Sequence, residues 1–179
     1  MKRKHLVVIG TAAAVAFTAY CYGKARLSIP PGAKAVTDFD MRKYLGTWHE
    51  IARFDYRFEK DMEKVTATYS LKDNGDIKVD NRGFDTAKNK WKQSIGVAKF
   101  IGSDHVGRIK VSFFKPFYSS YNVLSIDEDY QYALVVGNSK EYLWFLSREK
   151  TMPGHIKEKY LEIARGLGCE THKLIWVVQ

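Results

Sequence analysis

Short segments that alternate apolar and polar residues, separated by turn signals roughly every 8–12 residues, occupy most of this chain. One of the turns, Lys72–Asp76, contains Asn-Gly, which is a strong hairpin signal between two alternating runs. Parallel strands need crossover connections of roughly a dozen or more residues, and this spacing leaves no room for them. The pattern therefore predicts an antiparallel β-sandwich or β-barrel.

Eight segments have the length and alternation of strands. The predicted strands are residues 46–54, 64–72, 76–84, 90–100, 107–114, 121–127, 131–137 and 141–148. Eight antiparallel strands are enough to close an up-and-down barrel that holds one small ligand, and closure removes the exposed sheet edges.

The period of the sequence changes after residue 150. From Pro153, which suits a first helical turn, apolar residues such as Tyr160 and Leu167 recur at helical spacing, and Gly168 suits the end. We expect one carboxy-terminal α-helix packed against the outside of the sheet, followed by a last strand at 173–178.

The amino terminus differs from the rest of the chain. Three positive residues precede Leu6–Tyr22, a run without any charge. A run of this length suits the apolar part of a signal peptide and is marginal for a membrane-spanning helix. The predicted division is 1–25 as signal peptide or membrane anchor, 26–37 as linker, and 38–179 as the folded domain.

Cys21 lies where a bacterial lipoprotein signal peptide places its acylated cysteine. Thr18 and Ala19 fit the pattern before it, whereas Tyr20 replaces the small residue that usually precedes the cysteine. Three outcomes stay open: lipidation at Cys21, an uncleaved anchor in which Cys21 is one more small apolar residue, and cleavage to a soluble form. Export is common to all three, because the positive flank stays in the cytoplasm.

Composition and motifs exclude several classes of function. The formal net charge of +9 favours anionic surfaces such as phospholipid headgroups. No basic run interleaved with aromatic residues is present, so no nucleic-acid partner is expected. The five histidines lack metal-ligand spacing, and no nucleophile, metalloprotease or phosphate-loop motif occurs. We therefore predict no enzyme, no metal and no cofactor.

Three motifs in order carry a resemblance to a known family. Gly46-Thr47-Trp48 opens the first strand, Asp127-x-x-Tyr130 precedes the seventh, and Arg148 ends the eighth. Their order, together with the helix that follows, resembles the lipocalin family over about 140 residues. The longer runs 52–59, 63–71 and 110–118 are similar to its bacterial outer-membrane branch, which is related to apolipoprotein D, although His49 stands where that branch usually has Tyr.

The resemblance implies an all-β fold: an eight-stranded antiparallel up-and-down lipocalin barrel with one C-terminal α-helix packed outside. In that fold Trp48 plugs the closed end, Arg148 lies across its indole, and Gly46 lets the backbone pass close by. These three residues form the barrel-closing motif and are expected to serve the fold rather than the ligand.

Strand alternation and the resemblance together predict which side chains point into the barrel. The predicted cavity residues are Ala67, Tyr69, Val79, Asn81, Ala98, Val111, Phe113, Asn122, Leu124 and Val135. Small residues, including Gly96, leave space where a filled barrel would carry Leu or Ile. The alternative is that most of these positions pack a solid core.

The stretch Phe113–Tyr121 is an unusual predicted loop, since it carries five aromatic residues where loops are normally polar. Phe117, Tyr118 and Tyr121 are expected to rim the cavity mouth, with Lys115 and Arg57 nearby to meet a phosphate or carboxylate. Exposed apolar patches mark a membrane or partner contact. Folding back over the barrel and a homodimer contact are the alternatives.

The resemblance implies a carrier rather than an enzyme. Its expected ligand is a fatty acid, phospholipid or lysophospholipid, held for storage, transport or membrane maintenance. Its expected location is the bacterial cell envelope, lipid-anchored in the outer membrane and facing the periplasm, or held in the inner membrane by an uncleaved helix. Carriage of a pigment or haem-like molecule, and a structural envelope module without ligand, are the alternative functions.

Overall fold

A computed structural model describes residues 27–56 and 59–179, and it contains a closed antiparallel barrel. Each of the first eight strands pairs with its neighbours in the chain, and β1 pairs with both β2 and β8, which closes the sheet. The predicted fold class is therefore confirmed. The strands are β1 Gly46–Phe54, β2 Met62–Leu71, β3 Ile77–Asp85, β4 Lys90–Phe100, β5 Arg108–Phe114, β6 Phe117–Ile126, β7 Tyr132–Val136 and β8 Leu143–Ser147.

A short helix, a long helix and a ninth strand complete the fold. Helix α1, Met41–Tyr44, crosses the barrel end where β1 begins, and helix α2 is Gly154–Gly166. The predicted helix is confirmed: the Pro153 carbonyl accepts bonds from its first turn, and Gly168 at φ +75° follows its end. After a 3₁₀ turn at Thr171–Lys173, β9 (Leu174–Trp176) pairs with the second half of β1.

Two apolar cores lie on opposite sides of the sheet. The first fills the closed half of the barrel and includes Trp48, Tyr69 and Val135. The second lies between the outer face and α2, and includes Phe145 and Tyr160. Because successive side chains of a strand point to opposite faces, one stretch such as β7 supplies both cores.

The aromatic stretch at 113–121 is not a loop, contrary to the sequence-based expectation. β5 runs to Phe114 and β6 starts at Phe117, leaving only Lys115 and Pro116 as the turn. Aromatic residues favour strands, and Phe114 and Phe117 face each other across the hairpin with parallel rings 6.3 Å apart.

The predicted linker lies against the barrel over the part that the structure describes. Val36 exchanges backbone hydrogen bonds with Val123 and Gly107, and Arg108 donates to the Leu27 carbonyl. The predicted anchor segment 1–25, with Cys21, and Arg57 lie outside the described residues. Within residues 27–56 and 59–179, no helix has the length and apolarity needed to cross a membrane.

Candidate functional site

The closed end of the barrel is sealed by an indole and a guanidinium. Trp48 is fully buried, and the guanidinium carbon of Arg148 lies 3.9 Å from the centre of its ring. Trp48 Nε1 donates to the Tyr44 carbonyl at 2.9 Å, which ties the plug to α1. Gly46 has φ +95°, and a Cβ there would lie 3.2 Å from Arg148 Nη1. Glycine is needed at this position for both reasons.

Arg148 also fastens the chain that enters β1. It donates to the carbonyl oxygens of Lys43, Leu45 and Thr47 at 2.8, 2.9 and 2.9 Å, and to that of Tyr130 at 3.1 Å. One planar group thereby donates to four backbone carbonyls.

Above this plug, three tyrosine hydroxyls meet. Tyr121 Oη lies 2.5 Å from Tyr44 Oη and accepts a bond from Tyr69 Oη at 3.0 Å. Burial raises the pKa of all three phenols, so they remain neutral. Tyr69 and Tyr121 also line the cavity above, and they give its floor a polar patch.

The other half of the barrel holds a cavity of about 960 Å³. It opens at the end opposite Trp48, since its lining includes residues from the β1–β2 and β7–β8 connections and the strand ends that flank the β5–β6 turn. Its walls are mostly apolar or aromatic, with a few polar and charged groups. This volume is at the upper end of the ~300–1,000 Å³ usual for small-molecule sites.

Six of the ten predicted cavity residues line this cavity. They are Ala67, Tyr69, Val79, Asn81, Val111 and Phe113. Ala98 and Val135 also point into the barrel, but they are fully buried in the packed core of its closed half. The space expected over Gly96 is taken by Phe113, whose Cδ1 would lie 2.8 Å from a Cβ there.

Asn122 and Leu124 do not point into the cavity, so their predicted orientation is wrong. Leu124 packs against the core under α2, and the buried Asn122 amide donates to the carbonyls of Val136 and Gly137. Tyr121 and Val123 occupy the inner face instead. Because the side-chain period is two, an error of one residue in the strand assignment moves every side chain to the other face.

The structure places the three predicted mouth residues in different parts of the barrel. Phe117 is at the rim and lines the cavity, whereas Tyr121 lies deep, at the floor. Tyr118 is outside the lining, with Lys110 Nζ 5.3 Å from its ring centre. The rim is strongly apolar: Phe113, Phe114 and Phe117 are 47, 77 and 58% exposed.

Sequence reasoning missed a buried charged cluster at the cavity wall. Arg53 is 2% exposed; it donates to Glu50 Oε1 at 2.7 Å, and its Nε lies 3.8 Å from Glu59 Oε2. Glu50 and Glu59 both line the cavity, and Trp144 Nε1 donates to Glu59 Oε2 at 3.3 Å. Counting by two from Trp48 along β1 would have placed Glu50 inside.

Burial raises the pKa of Glu50 to about 8, with the Glu59 charge adding to the effect and Arg53 opposing it. Burial also raises the pKa of Glu59, against the attraction of Arg53 and the hydrogen bond from Trp144. The wall therefore carries a carboxylic acid that is largely protonated at neutral pH.

The cysteine among the described residues lies away from the cavity. Cys169 is buried between α2 and the barrel, where desolvation raises the pKa of its thiol. Residues 27–56 and 59–179 contain no group of three or more His, Cys, Asp or Glu side chains arranged to hold a metal ion. The cavity thus offers apolar surface, neutral hydroxyls and one acidic wall, and its lining also includes Lys92, whose Nζ lies 2.6 Å from the buried Asp85 carboxylate.

Comparison with known proteins places this geometry in context. Residues 39–179 match the model of the lipocalin-like domain. The chain is 49% identical over 150 residues to the outer membrane lipoprotein Blc of Citrobacter freundii, covering 84% of this chain and 85% of that one. It is 44% identical over 154 residues to the protein of the same name from Vibrio cholerae, covering 86% and 90%.

A solved structure shows the same architecture. The major allergen Per a 4 from cockroaches superposes with a TM-score of 0.67 at 26% sequence identity, over 86% of this chain and 96% of the allergen.

Proposed function

The chain belongs to the lipocalin family, and from that premise we propose that it is a lipid carrier of the bacterial cell envelope. Its ligand would be a fatty acid, phospholipid or lysophospholipid, with the acyl chain in the barrel and the headgroup at the mouth. The observation that carries this proposal is the cavity of about 960 Å³, which Trp48 closes at one end and exposed phenylalanines surround at the other.

The energetics of acyl-chain burial support this ligand class. Each buried methylene contributes about 0.8 kcal/mol, so roughly sixteen of them supply ~13 kcal/mol. Association costs at the low end of the ~4–15 kcal/mol range would leave about −8 kcal/mol, which corresponds to micromolar affinity.

The proposed role is binding and not catalysis. Cys169, the cysteine among the described residues, lies outside the barrel and does not line the cavity. Arg53 and Trp144 donate hydrogen bonds to the carboxyl groups of the cavity wall and hold them in place. Groups held in this way suit contact with a bound ligand.

The names of the relatives support a location in the outer membrane. The barrel is proposed to face the periplasm. Cys21 would carry the lipid anchor, and an uncleaved inner-membrane helix is the alternative. Incorporation of radiolabelled palmitate into the wild type and its loss in Cys21→Ala would support the lipid anchor. Equal incorporation in both would contradict it.

The test of carriage begins with native mass spectrometry of the purified protein, which should show a co-purifying lipid. Delipidated protein should then shift the emission of a fluorescent fatty acid. Failure to bind that probe, in protein shown to be folded, would contradict the proposal. A visible absorbance band in the purified protein would indicate a pigment or haem-like ligand instead.

A further inference from the structure

The pairing of β1 with β2 closes the barrel, and it is short. The ladder between the two strands ends at the pair of His49 and Thr66. Just beyond this pair, β1 shifts register against β8 between Glu50 and Ala52, and β2 shifts register against β3 between Glu63 and Thr66. A β-bulge bends a strand and interrupts its pairing. The two strands therefore separate between these residues, at a point that we call the fork.

Residues 177–179, which follow β9, lie in the fork. The Val177 N–H donates to the Ile51 carbonyl of β1 at 2.9 Å, and the Val178 carbonyl accepts from the Lys64 N–H of β2 at 2.7 Å. Lys64 has a φ of +51° and lies inside the β2 bulge. The ladder leaves an extra residue in a bulge unpaired, so Val178 supplies a partner for its N–H. Residues 177–179 thus join β1 to β2 where the strands no longer pair directly.

The side-chain amide of Gln179 bridges the same two strands. Its Nε2 donates to the Glu50 carbonyl of β1 at 2.6 Å and to the Val65 carbonyl of β2 at 3.1 Å. Its Oε1 lies 3.2 Å from His49 Nδ1, and since an amide oxygen only accepts, the His49 ring donates this bond. Both N–H donors of one amide and its oxygen are therefore engaged at the fork.

The fork is part of the cavity wall. Glu50 and Val65, whose carbonyls accept from the Gln179 amide, both line the cavity. Trp48 lies in the packed core of the closed half. Opening the fork would therefore loosen the wall beside the cavity without moving the plug at its closed end.

Residues 177–179 contact the fork through backbone and amide hydrogen bonds, whereas β9 is held by its side chains. Leu174 belongs to the core under α2, and the Trp176 ring packs edge to face on Phe145 with ring centres 6.0 Å apart. Val178, by contrast, is 58% exposed. Segments with few buried apolar contacts and exposed backbone bonds open locally at the lowest cost. The residues after Trp176 can therefore leave the fork while β9 stays in place.

A second tie between β1 and β2 lies towards the mouth. Arg53 of β1 donates to the carbonyls of Glu59 and Met62. The two strands are thus joined on both sides of the fork, by Arg53 on one side and by the ladder at His49 and Thr66 on the other. Release of Gln179 would therefore open a limited gap and leave the rest of the barrel closed.

We propose that Gln179 holds the fork closed and that its release opens the cavity wall between β1 and β2, which sets how fast a ligand exchanges with the cavity. In the closed state the Gln179 amide joins the two strands. In the open state residues 177–179 lie in solvent, water takes their hydrogen bonds, and β2 moves away from β1. The exchange step rests on the proposed function, that the barrel holds a lipid, whereas the opening of the fork does not.

Hydrogen–deuterium exchange of the full-length chain, held in amphipol, tests the fork itself. Gln179→Ala removes the amide, and Gln179→Glu keeps its shape but places acceptors against the two carbonyls. In both variants, peptides that cover residues 62–68 should exchange about fivefold to fiftyfold faster, since the hydrogen bonds donated by Gln179 are lost from the closed state. Peptides that cover β5 and β7 should exchange as in the wild type. Gln131→Ala is the matched control, because the exposed Gln131 amide also donates to a backbone carbonyl, that of Asp129 at 2.9 Å.

Stopped-flow fluorescence tests the exchange step, with dansylaminoundecanoic acid as the probe and excess oleate as the competitor. In Gln179→Ala, the association and dissociation rate constants should both rise about threefold to tenfold, with the dissociation constant changed less than about twofold. Opening of a wall changes both rate constants together, because it lowers the barrier between the free and bound states. A merely structural role would instead lower the affinity or the urea midpoint and change the two rate constants unequally. Gln131→Ala should behave as the wild type does.

The two measurements separate this proposal from lipid carriage. Hydrogen exchange at residues 62–68 as slow as in the wild type, in Gln179→Ala and Gln179→Glu shown to be folded by circular dichroism, would overturn the proposal. Faster hydrogen exchange with unchanged rate constants for the probe would overturn the role of the fork in ligand exchange. If the folded wild type bound neither the probe nor oleate, lipid carriage would be overturned and the exchange step with it. Hydrogen exchange would still decide whether Gln179 holds the fork closed.

Discussion

At each end of this barrel, one arginine side chain contacts several other groups. At the closed end, Arg148 covers Trp48 and donates to four carbonyls, so one side chain serves packing and backbone satisfaction together. At the open end, Arg53 serves two carboxyl groups and two carbonyls. Both positions show why arginine, with its five donors in a plane, cannot be exchanged for lysine here.

Replacing Arg148 with Ala should destabilise the fold by about 2–4 kcal/mol, because it removes a cation–π contact and leaves carbonyls without donors. Arg148→Lys should recover only part of this loss. Urea unfolding measures the difference. Arg165→Ala, which breaks an exposed ion pair with Glu158, is the control and should cost no more than about 0.5 kcal/mol. A loss as small in Arg148→Ala would show that the plug does not need its cation.

Glu50 should make the stability fall as pH rises. Its pKa is about 8 in the folded protein and near 4.5 when unfolded, so between these values the folded state holds the extra proton. Stability is then highest below about pH 4.5, as far as this group is concerned, and decreases until about pH 8. Urea midpoints at pH 5.5 and 8.5 should differ less in Glu50→Gln than in the wild type. Glu149→Gln, at an exposed position, is the control. A difference in Glu50→Gln as large as in this control would contradict this account.

At the scale of secondary-structure elements, residue alternation and turn motifs in the sequence were sufficient to predict the strands. β1 and β4 have the predicted bounds, and the Asn-Gly turn joins β2 to β3 as expected. The errors lie where local geometry departs from regular pairing. The pairing of β6 with β7 shifts register between Val123 and Ser125, close to the β6 residues whose inward orientation was predicted wrongly. No residue pattern in the sequence indicates such a bulge.

The site residues were less predictable than the fold, because their positions also depend on local geometry that departs from regular strand pairing. Inward positions on β2 and β3 follow directly from parity, but Glu59 reaches the cavity from a connection, which has no period. Whether an inward residue lines open space or packs a core depends on the whole barrel, as Ala67 and Ala98 illustrate. Alternation predicts on which face of the sheet a side chain lies, but not how deep in the barrel it lies.

The β5–β6 hairpin should control how fast lipid enters. Phe114 and Phe117 are exposed at the rim, where they can contact a membrane surface. The double variant Phe114→Ser/Phe117→Ser should take up a fluorescent fatty acid from phospholipid vesicles several-fold more slowly, with little change in equilibrium affinity. Stopped-flow fluorescence measures the rate. Leu71→Ser, exposed at the opposite end, is the control. An unchanged uptake rate in the double variant would exclude the rim as the route of entry.

In the molecule as a whole, the two halves of the barrel have different roles. The closed half is packed around Trp48 and stabilises the fold, while the open half leaves a cavity with the carboxyl groups of Glu50 and Glu59 on one wall. Because Trp48 and the second core lie outside the cavity lining, wall residues that are only partly buried, such as Ala67 and Val111, can be changed with modest effects on stability. This separation makes the central claim, that the cavity holds a lipid, open to a direct test.

That test is a cavity-filling substitution. Ala67 lines the cavity on β2, and Thr68 is its neighbour on the outer face, hydrogen-bonded to Thr47. Ala67→Trp should lower the affinity for a fluorescent fatty acid at least tenfold while the protein stays folded, because the indole occupies the volume of the acyl chain. Thr68→Trp should bind like the wild type. Wild-type affinity in folded Ala67→Trp would contradict the claim that this cavity is where the lipid is held.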